Sequence, residues 1–98
     1  MMYGWQKQDG KWWYKRQDGS YPQAVWEKID DVWYHFDAEG HMQTGWILDN
    51  EKWYYLKSSG AMASDEMLTI ESPVHGEEIY VFAPEGHMLR TNERGALV

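Results

Sequence analysis

The chain contains no cysteine. No disulfide can staple it, and no thiolate can act as nucleophile or metal ligand. Proline occurs only 3 times. No apolar run approaches the ~18 residues of a membrane helix, so no membrane span is expected. The stretch Met1-Met2-Tyr3-Gly4-Trp5-Gln6-Lys7 has no apolar core after a basic start, so no signal peptide is expected. Positive charge is scarce: 9 Lys and Arg stand against 16 Asp and Glu, a net charge of -7. Such a surface repels a phosphate backbone and favours cations, so nucleic acid is not an expected partner. A chain of 98 residues holds one small domain or one short array of repeats, with a thin core.

Large rings are abundant instead. Seven Trp, seven Tyr and two Phe make 16% of a chain whose mean hydropathy is -0.76. A small core does not need seven Trp. Rings in a polar chain point to a binding surface.

The rings recur in register. A leading Trp stands at Trp5, Trp26 and Trp46, and a second Trp seven residues later at Trp12, Trp33 and Trp53. A glycine follows seven further on, at Gly19, Gly40 and Gly60, and two beyond it come Tyr21, Met42 and Met62. The matched columns define three repeats, 4–24, 25–44 and 45–64, within a repeat region 1–64. A fourth, degraded copy in 65–98 aligns Ile79-Tyr80-Val81-Phe82 with the second-Trp columns, then Gly86 and Met88. It carries an insertion between Asp65 and Glu77, and Met67 or Leu68 replaces its leading Trp. Terminal repeats of this kind act as caps.

Each repeat reads as a β-hairpin, rich in Trp, Tyr, Val, Ile and Phe. The expected turns are Asp9-Gly10, Asp30-Asp31, Asp49-Asn50 and His75-Gly76. Lone hairpins are marginal, but stacked ones share a core, so the expected fold class is an all-β solenoid of hairpins. Strand alternation sorts the rings. Trp12 with Tyr14, Trp33 with His35, and Trp53 with Tyr55 share one face, which ends in Ile79 and Val81 in the cap. The opposite face keeps Trp13, Tyr34 with Phe36, Tyr54 with Leu56, and Tyr80 with Phe82. That face is the expected core, and the first face the expected working surface.

Gly45-Trp46, Trp53-Tyr54-Tyr55-Leu56 and Ser59-Gly60-Ala61-Met62 resemble the choline-binding, or cell-wall-binding, repeats of Gram-positive surface proteins, cell-wall lytic enzymes and phages. The resemblance is close over residues 4 to 64 and loose beyond. Similar repeats occur in glucan-binding regions and toxin tails. The resemblance implies a hairpin solenoid whose sites lie between consecutive hairpins. Two rings come from one hairpin, a third from the next, and a Met often lines the pocket. The implied ligand is choline of teichoic acid.

A quaternary ammonium has no N–H to donate, so ring faces hold it best, at roughly 0.5 to 2 kcal/mol each. On this mapping the best site combines Trp26, Trp33 and Tyr55 with Met42 or Met62. Trp5 and Trp12 would be completed by His35, a poor partner for a cation and a repulsive one below about pH 6.5. Trp46 and Trp53 would meet Val81, which supplies no ring. The methionines serve equally as gap-fillers or pocket lining. Trp13 reads as packing, and Ser58, Ser59 and Ser64 as linker residues.

His35, His41, His75 and His87 show no metal-binding spacing, and no nucleophile has a base beside it. No metal, no cofactor and no catalysis by this chain alone are expected. The expected role is non-catalytic attachment to choline on cell wall, outside the cell when carried by a secreted or phage-released protein, including as the binding module of a larger lytic enzyme. Two other roles stay open: carbohydrate binding, and a structural role in which the C-terminal hairpin pairs two chains as a homodimer.

Overall fold

The computed structural model describes residues 3–72 and 76–89. Its nine strands are β1 (Gly4–Gln8), β2 (Lys11–Lys15), β3 (Trp26–Ile29), β4 (Val32–His35), β5 (Gly45–Asp49), β6 (Lys52–Leu56), β7 (Glu66–Ser72), β8 (Gly76–Phe82) and β9 (Met88–Leu89). They form sheets β1-β2, β3-β4, β5-β6 and β7-β8-β9, so the chain is all-β and built of hairpins. Among the described residues no helix is long and apolar enough to cross a membrane.

The hairpin turns follow from residues that tolerate left-handed backbone. Asp9 and Gly10 have φ of 52° and 79°, Asp30 and Asp31 have 50° and 66°, and Asn50 and Glu51 have 49° and 65°. Two successive positive φ values define the type I′ turn, whose twist matches that of the flanking strands. The third turn is therefore Asn50-Glu51, one residue beyond the expected Asp49-Asn50. Asp49 ends β5, and Asn50 takes the first left-handed position, which its short amide tolerates. Of the expected fourth turn, His75 lies outside the described residues, while Gly76 pairs with Ser72 at the end of β7 and β8.

One loop closes every repeat. Arg16, Asp37, Lys57 and Ala83 each donate a backbone N–H to the carbonyl four residues on. Each accepts from the glycine three residues on, at 2.7 to 3.0 Å. Gly19, Gly40, Gly60 and Gly86 hold φ between 88° and 102° there, which explains the glycine column. At Gly40 space is also tight, since a Cβ would lie 2.6 Å from the Tyr21 ring.

The chain forms two compact units, Met1–Gly45 with Leu56–Met62, and Trp46–Tyr55 with Ala63–Val98. In the first, hairpin β1-β2 packs against β3-β4. The Met42 N–H donates to the Trp12 carbonyl at 2.7 Å, and the Met62 N–H to the Trp33 carbonyl at 2.9 Å. Phe36, Leu56 and Ile29 are buried. Arg16 clamps Glu27 with two hydrogen bonds, of 3.0 and 2.9 Å.

In the second unit Ala63, Ile70 and Phe82 form the core, with Trp46, Tyr55, Leu68, Tyr80 and Met88 packed on it. Phe36, Leu56 and Phe82, at equivalent positions of their repeats, are each buried, as expected of the core face. The fourth hairpin absorbs its extra residues by lengthening, since β7 and β8 have 7 residues each. Its register pairs Met67 with Val81 and Thr69 with Ile79. Met67 therefore takes the leading-Trp position and Ile79 the second-Trp position, and they are 70% and 69% exposed.

Candidate functional site: two aromatic clefts

The register of the first hairpin sets Trp5 opposite Tyr14 and Lys7 opposite Trp12, so all four side chains share one face. The next hairpin covers part of that face with its other side. Trp5 meets Trp12 edge-on, with centroids 6.3 Å apart and planes at 86°, and meets Tyr34 at 4.9 Å and 69°. Phe36 stacks on Trp5 at 5.8 Å and 29°, closing the inner end. A cleft of about 360 Å³ remains, lined by Trp5, Trp12, Tyr34, Met42, Ser58 and Ser59.

The second unit repeats this construction. Trp46 meets Trp53 at 6.2 Å and 88°, Tyr80 at 4.9 Å and 71°, and Phe82 at 6.0 Å and 33°. Trp46, Trp53, Tyr80 and Met88 line a cleft of about 300 Å³. Burial, and then the Glu78 carboxylate that accepts the Tyr80 hydroxyl at 3.0 Å, hold this phenol above the usual tyrosine range. It stays neutral and presents its ring to the cleft.

The third ring therefore comes from the Tyr34 and Tyr80 column, not from the column of His35, Tyr55 and Val81. Packing explains the difference. When identical units stack, the first face of one meets the second face of the next, so a ring from the next hairpin must lie on its second face. Strand parity carries this signal in the sequence when it is followed from one hairpin to the next as well as within each hairpin.

His35 stays with its own hairpin, 4.8 Å from Trp26, and its Nδ1 is hydrogen-bonded to Gln43 Oε1. It does not line the Trp5–Trp12 cleft, so the expected acid weakening through His35 loses its basis. Likewise Val81 does not leave the Trp46–Trp53 cleft two-walled, because Tyr80 supplies the ring. Tyr55 lies against Trp46 of its own hairpin at 5.1 Å and against Phe82 at 6.4 Å, on the core cluster.

Trp26 and Trp33 lie on β3 and β4, with Lys28 opposite Trp33. Met42 lines the Trp5–Trp12 cleft, and Met62 reaches Trp33 through its backbone N–H. Ser58 and Ser59, read as linker, stand at the rim of a cleft.

The second tryptophans are the accessible walls: Trp12 is 39% exposed, and Trp33 and Trp53 are each 41% exposed. One cation is already near a ring, because Lys7 Nζ lies 5.6 Å from the Trp12 centroid. Asp37, Glu39 and His41 bring potential ligand atoms within 4.8 Å of one another, a grouping the spacing did not indicate. Asp37 Oδ1 already accepts the N–H groups of Glu39 and His41 at 2.9 Å, so its carboxylate is engaged in closing the loop.

Two family descriptions match this chain: a choline-binding repeat over residues 25–66 and a cell wall binding repeat over residues 4–21. A lysin of Pneumococcus phage Dp-1 is 42% identical over 41 residues, which are 40% of this chain and 14% of the lysin. The multimodular pneumococcal cell-wall endolysin from phage Cp-1, solved with choline, superposes with a TM-score of 0.80 at 38% identity, over 99% of this chain and 31% of that one. Choline-binding protein F from Streptococcus pneumoniae superposes with a TM-score of 0.75 at 33% identity, over 98% of this chain and 34% of that one. The chain thus spans at most about a third of the length of these relatives. The repeat columns, the hairpin fold and the matches agree: the chain belongs to the choline-binding, or cell-wall-binding, repeat modules.

Proposed function

We propose that this module attaches to cell wall by holding choline groups of teichoic acid in its aromatic clefts, without catalysis of its own. The observation that carries the reading is the duplication of one three-ring geometry, Trp5–Trp12–Tyr34 and Trp46–Trp53–Tyr80. Near-perpendicular indoles with a tyrosine across from them present ring faces to a compact cation from several sides. A trimethylammonium gains cation–π attraction from each face and apolar packing from its methyls and the methionine. Trp26, Trp33 and Met62 carry the same columns and take the same role. A net charge of -7 gathers cations around the module.

One cleft should bind choline with a Kd on the order of 1 mM, about -4 kcal/mol. Several clefts meeting a polymer with many cholines gain roughly 10²-fold or more in avidity. In this reading the repeats anchor a larger protein, such as a lytic enzyme, outside the cell on a wall it acts upon. The choline complex of the phage Cp-1 endolysin supports the ligand.

The test is a choline titration followed by tryptophan fluorescence and near-UV circular dichroism, at ionic strength matched with sodium chloride and with glucan oligosaccharides in parallel. A saturable response to millimolar choline, reduced in Trp12→Ala and Trp53→Ala, is expected. A response to glucan alone would replace choline by sugar as the ligand.

Exposure of Met67 and Ile79 on the C-terminal hairpin favours a second reading, in which that hairpin pairs two chains. Sedimentation at several concentrations checks it, and a constant monomer mass would remove it.

A further inference from the structure

The first hairpin carries a second ring-bearing surface that the choline reading does not use. Trp12 and Trp13 are neighbours on β2 and point to opposite faces. On the second hairpin, the face equivalent to Trp13's holds Glu27, Ile29, Val32, Tyr34 and Phe36, of which Ile29 and Phe36 are buried. On the first hairpin the same positions hold Gln6, Gln8, Lys11, Trp13 and Lys15. Ile29, Val32 and Phe36 are thus matched by an amide and two amines, residues that suit water rather than another hairpin. Yet the ring position is kept and enlarged, from Tyr34 to Trp13. The methionine column also carries a ring here, Tyr21. Trp13 and Tyr21 meet edge-on at 5.6 Å and 73°.

These rings line an open cleft of about 230 Å³ with Gln8, Glu39 and His41. Tyr21 is held in place because its ring sits against Gly40 and yet is 40% exposed. The cleft differs in chemistry from the choline clefts. It offers a flat apolar wall together with an amide, a carboxylate and an imidazole, which supply both donors and acceptors. A quaternary ammonium can use the rings and Glu39 but has nothing to give Gln8 or His41. A pyranose uses all of them: its C–H face packs on an indole, and its hydroxyls exchange hydrogen bonds with the polar groups around it.

We infer that Trp13 and Tyr21, with Gln8, Glu39 and His41, form a saccharide subsite that takes one pyranose of a glycan strand. The module would then grip its wall through two chemistries on opposite faces of one hairpin. The inference does not rest on the choline reading, and the two fail separately.

The test uses the full chain and follows its indole N–H resonances by NMR, with N-acetylglucosamine oligosaccharide titrated into protein already saturated with choline chloride. The Trp13 resonance should shift saturably, and Trp13→Ala should weaken saccharide binding by roughly tenfold or more while leaving the choline titration unchanged. Glu39→Gln and Gln8→Ala, both at exposed positions, should each weaken it by roughly two- to fivefold. Three results would overturn the subsite: a Trp13 resonance that does not move, a saccharide shift abolished by choline, or a Trp13 shift produced by ethanolamine and not by saccharide. The last would assign the cleft to a primary ammonium instead.

Discussion

The Trp5–Trp12–Tyr34 cleft and the Trp46–Trp53–Tyr80 cleft share their rings and differ in what surrounds them. Their principal ring distances agree to 0.2 Å or better. The difference lies two residues after each leading Trp. Lys7 holds that position at the first cleft, its ammonium 5.6 Å from Trp12, whereas Leu48 on β5 holds it after Trp46 and is exposed. A tyrosine and a methionine line both clefts, Tyr34 with Met42 and Tyr80 with Met88, and Ser58 and Ser59 are added at the first. Ring geometry thus follows from packing common to the two pairs of hairpins, while charge and polarity at the rim differ between them.

The leading and second tryptophans should separate first and most widely. Trp46 touches Trp53, Tyr55, Tyr80 and Phe82, so Trp46→Ala empties the middle of its unit. It should cost about 3 to 5 kcal/mol in a denaturant titration. Trp53→Ala, at an exposed wall, should cost under ~1 kcal/mol yet lower choline affinity in its own cleft by roughly tenfold or more. Equal stability losses in the two variants would break this division of labour.

Exchange at the rim should act next. A lysine at about 6 Å from a bound cation repels it by roughly 0.5 to 1 kcal/mol where both charges are screened by bulk water. Lys7→Leu should therefore tighten the first cleft, and Leu48→Lys weaken the second, by about two- to fivefold in low-salt calorimetry, with the difference shrinking as salt is added.

The smallest effect belongs to the first unit alone. The two hydrogen bonds from Arg16 hold the Glu27 carboxyl below its ordinary value of 4.5. A depressed carboxyl stabilises fully above its unfolded pKa, and the gain is lost as pH falls through the lower folded value. The pair should contribute up to about 1 kcal/mol at neutral pH and fade below about pH 4.5. Arg16→Gln should flatten that acid limb in thermal melts and leave the neutral limb uniformly lower.

Much of this architecture is legible in the residues. The Trp, Gly and Met columns mark the repeat because each answers a local demand: a ring wall, a left-handed loop residue, a close packing contact. Phe36, Leu56 and Phe82 are legible as core because they are the apolar ends of alternating strands. The third ring was not, because a tyrosine on a core-facing column looks like packing until the next unit is laid on it, and Tyr34 serves both roles. The shift of the third turn to Asn50-Glu51 was hidden because Asp49 and Asn50 are both good turn residues, and only the strand register decides between them. Met67 and Leu68 were equivalent substitutes in sequence, and the pairing with Val81 separates them.

The closing loop carries one more consequence. Its two hydrogen bonds and its glycine are kept at Ala83–Gly86 even though the fourth hairpin is longer than the others. Growth has gone into the strands, and none into the loop. Hairpin tips are therefore where this scaffold accepts foreign sequence: a peptide grafted between Asp9 and Gly10 extends a ribbon into water and leaves the ring-lined base of the repeat as it was.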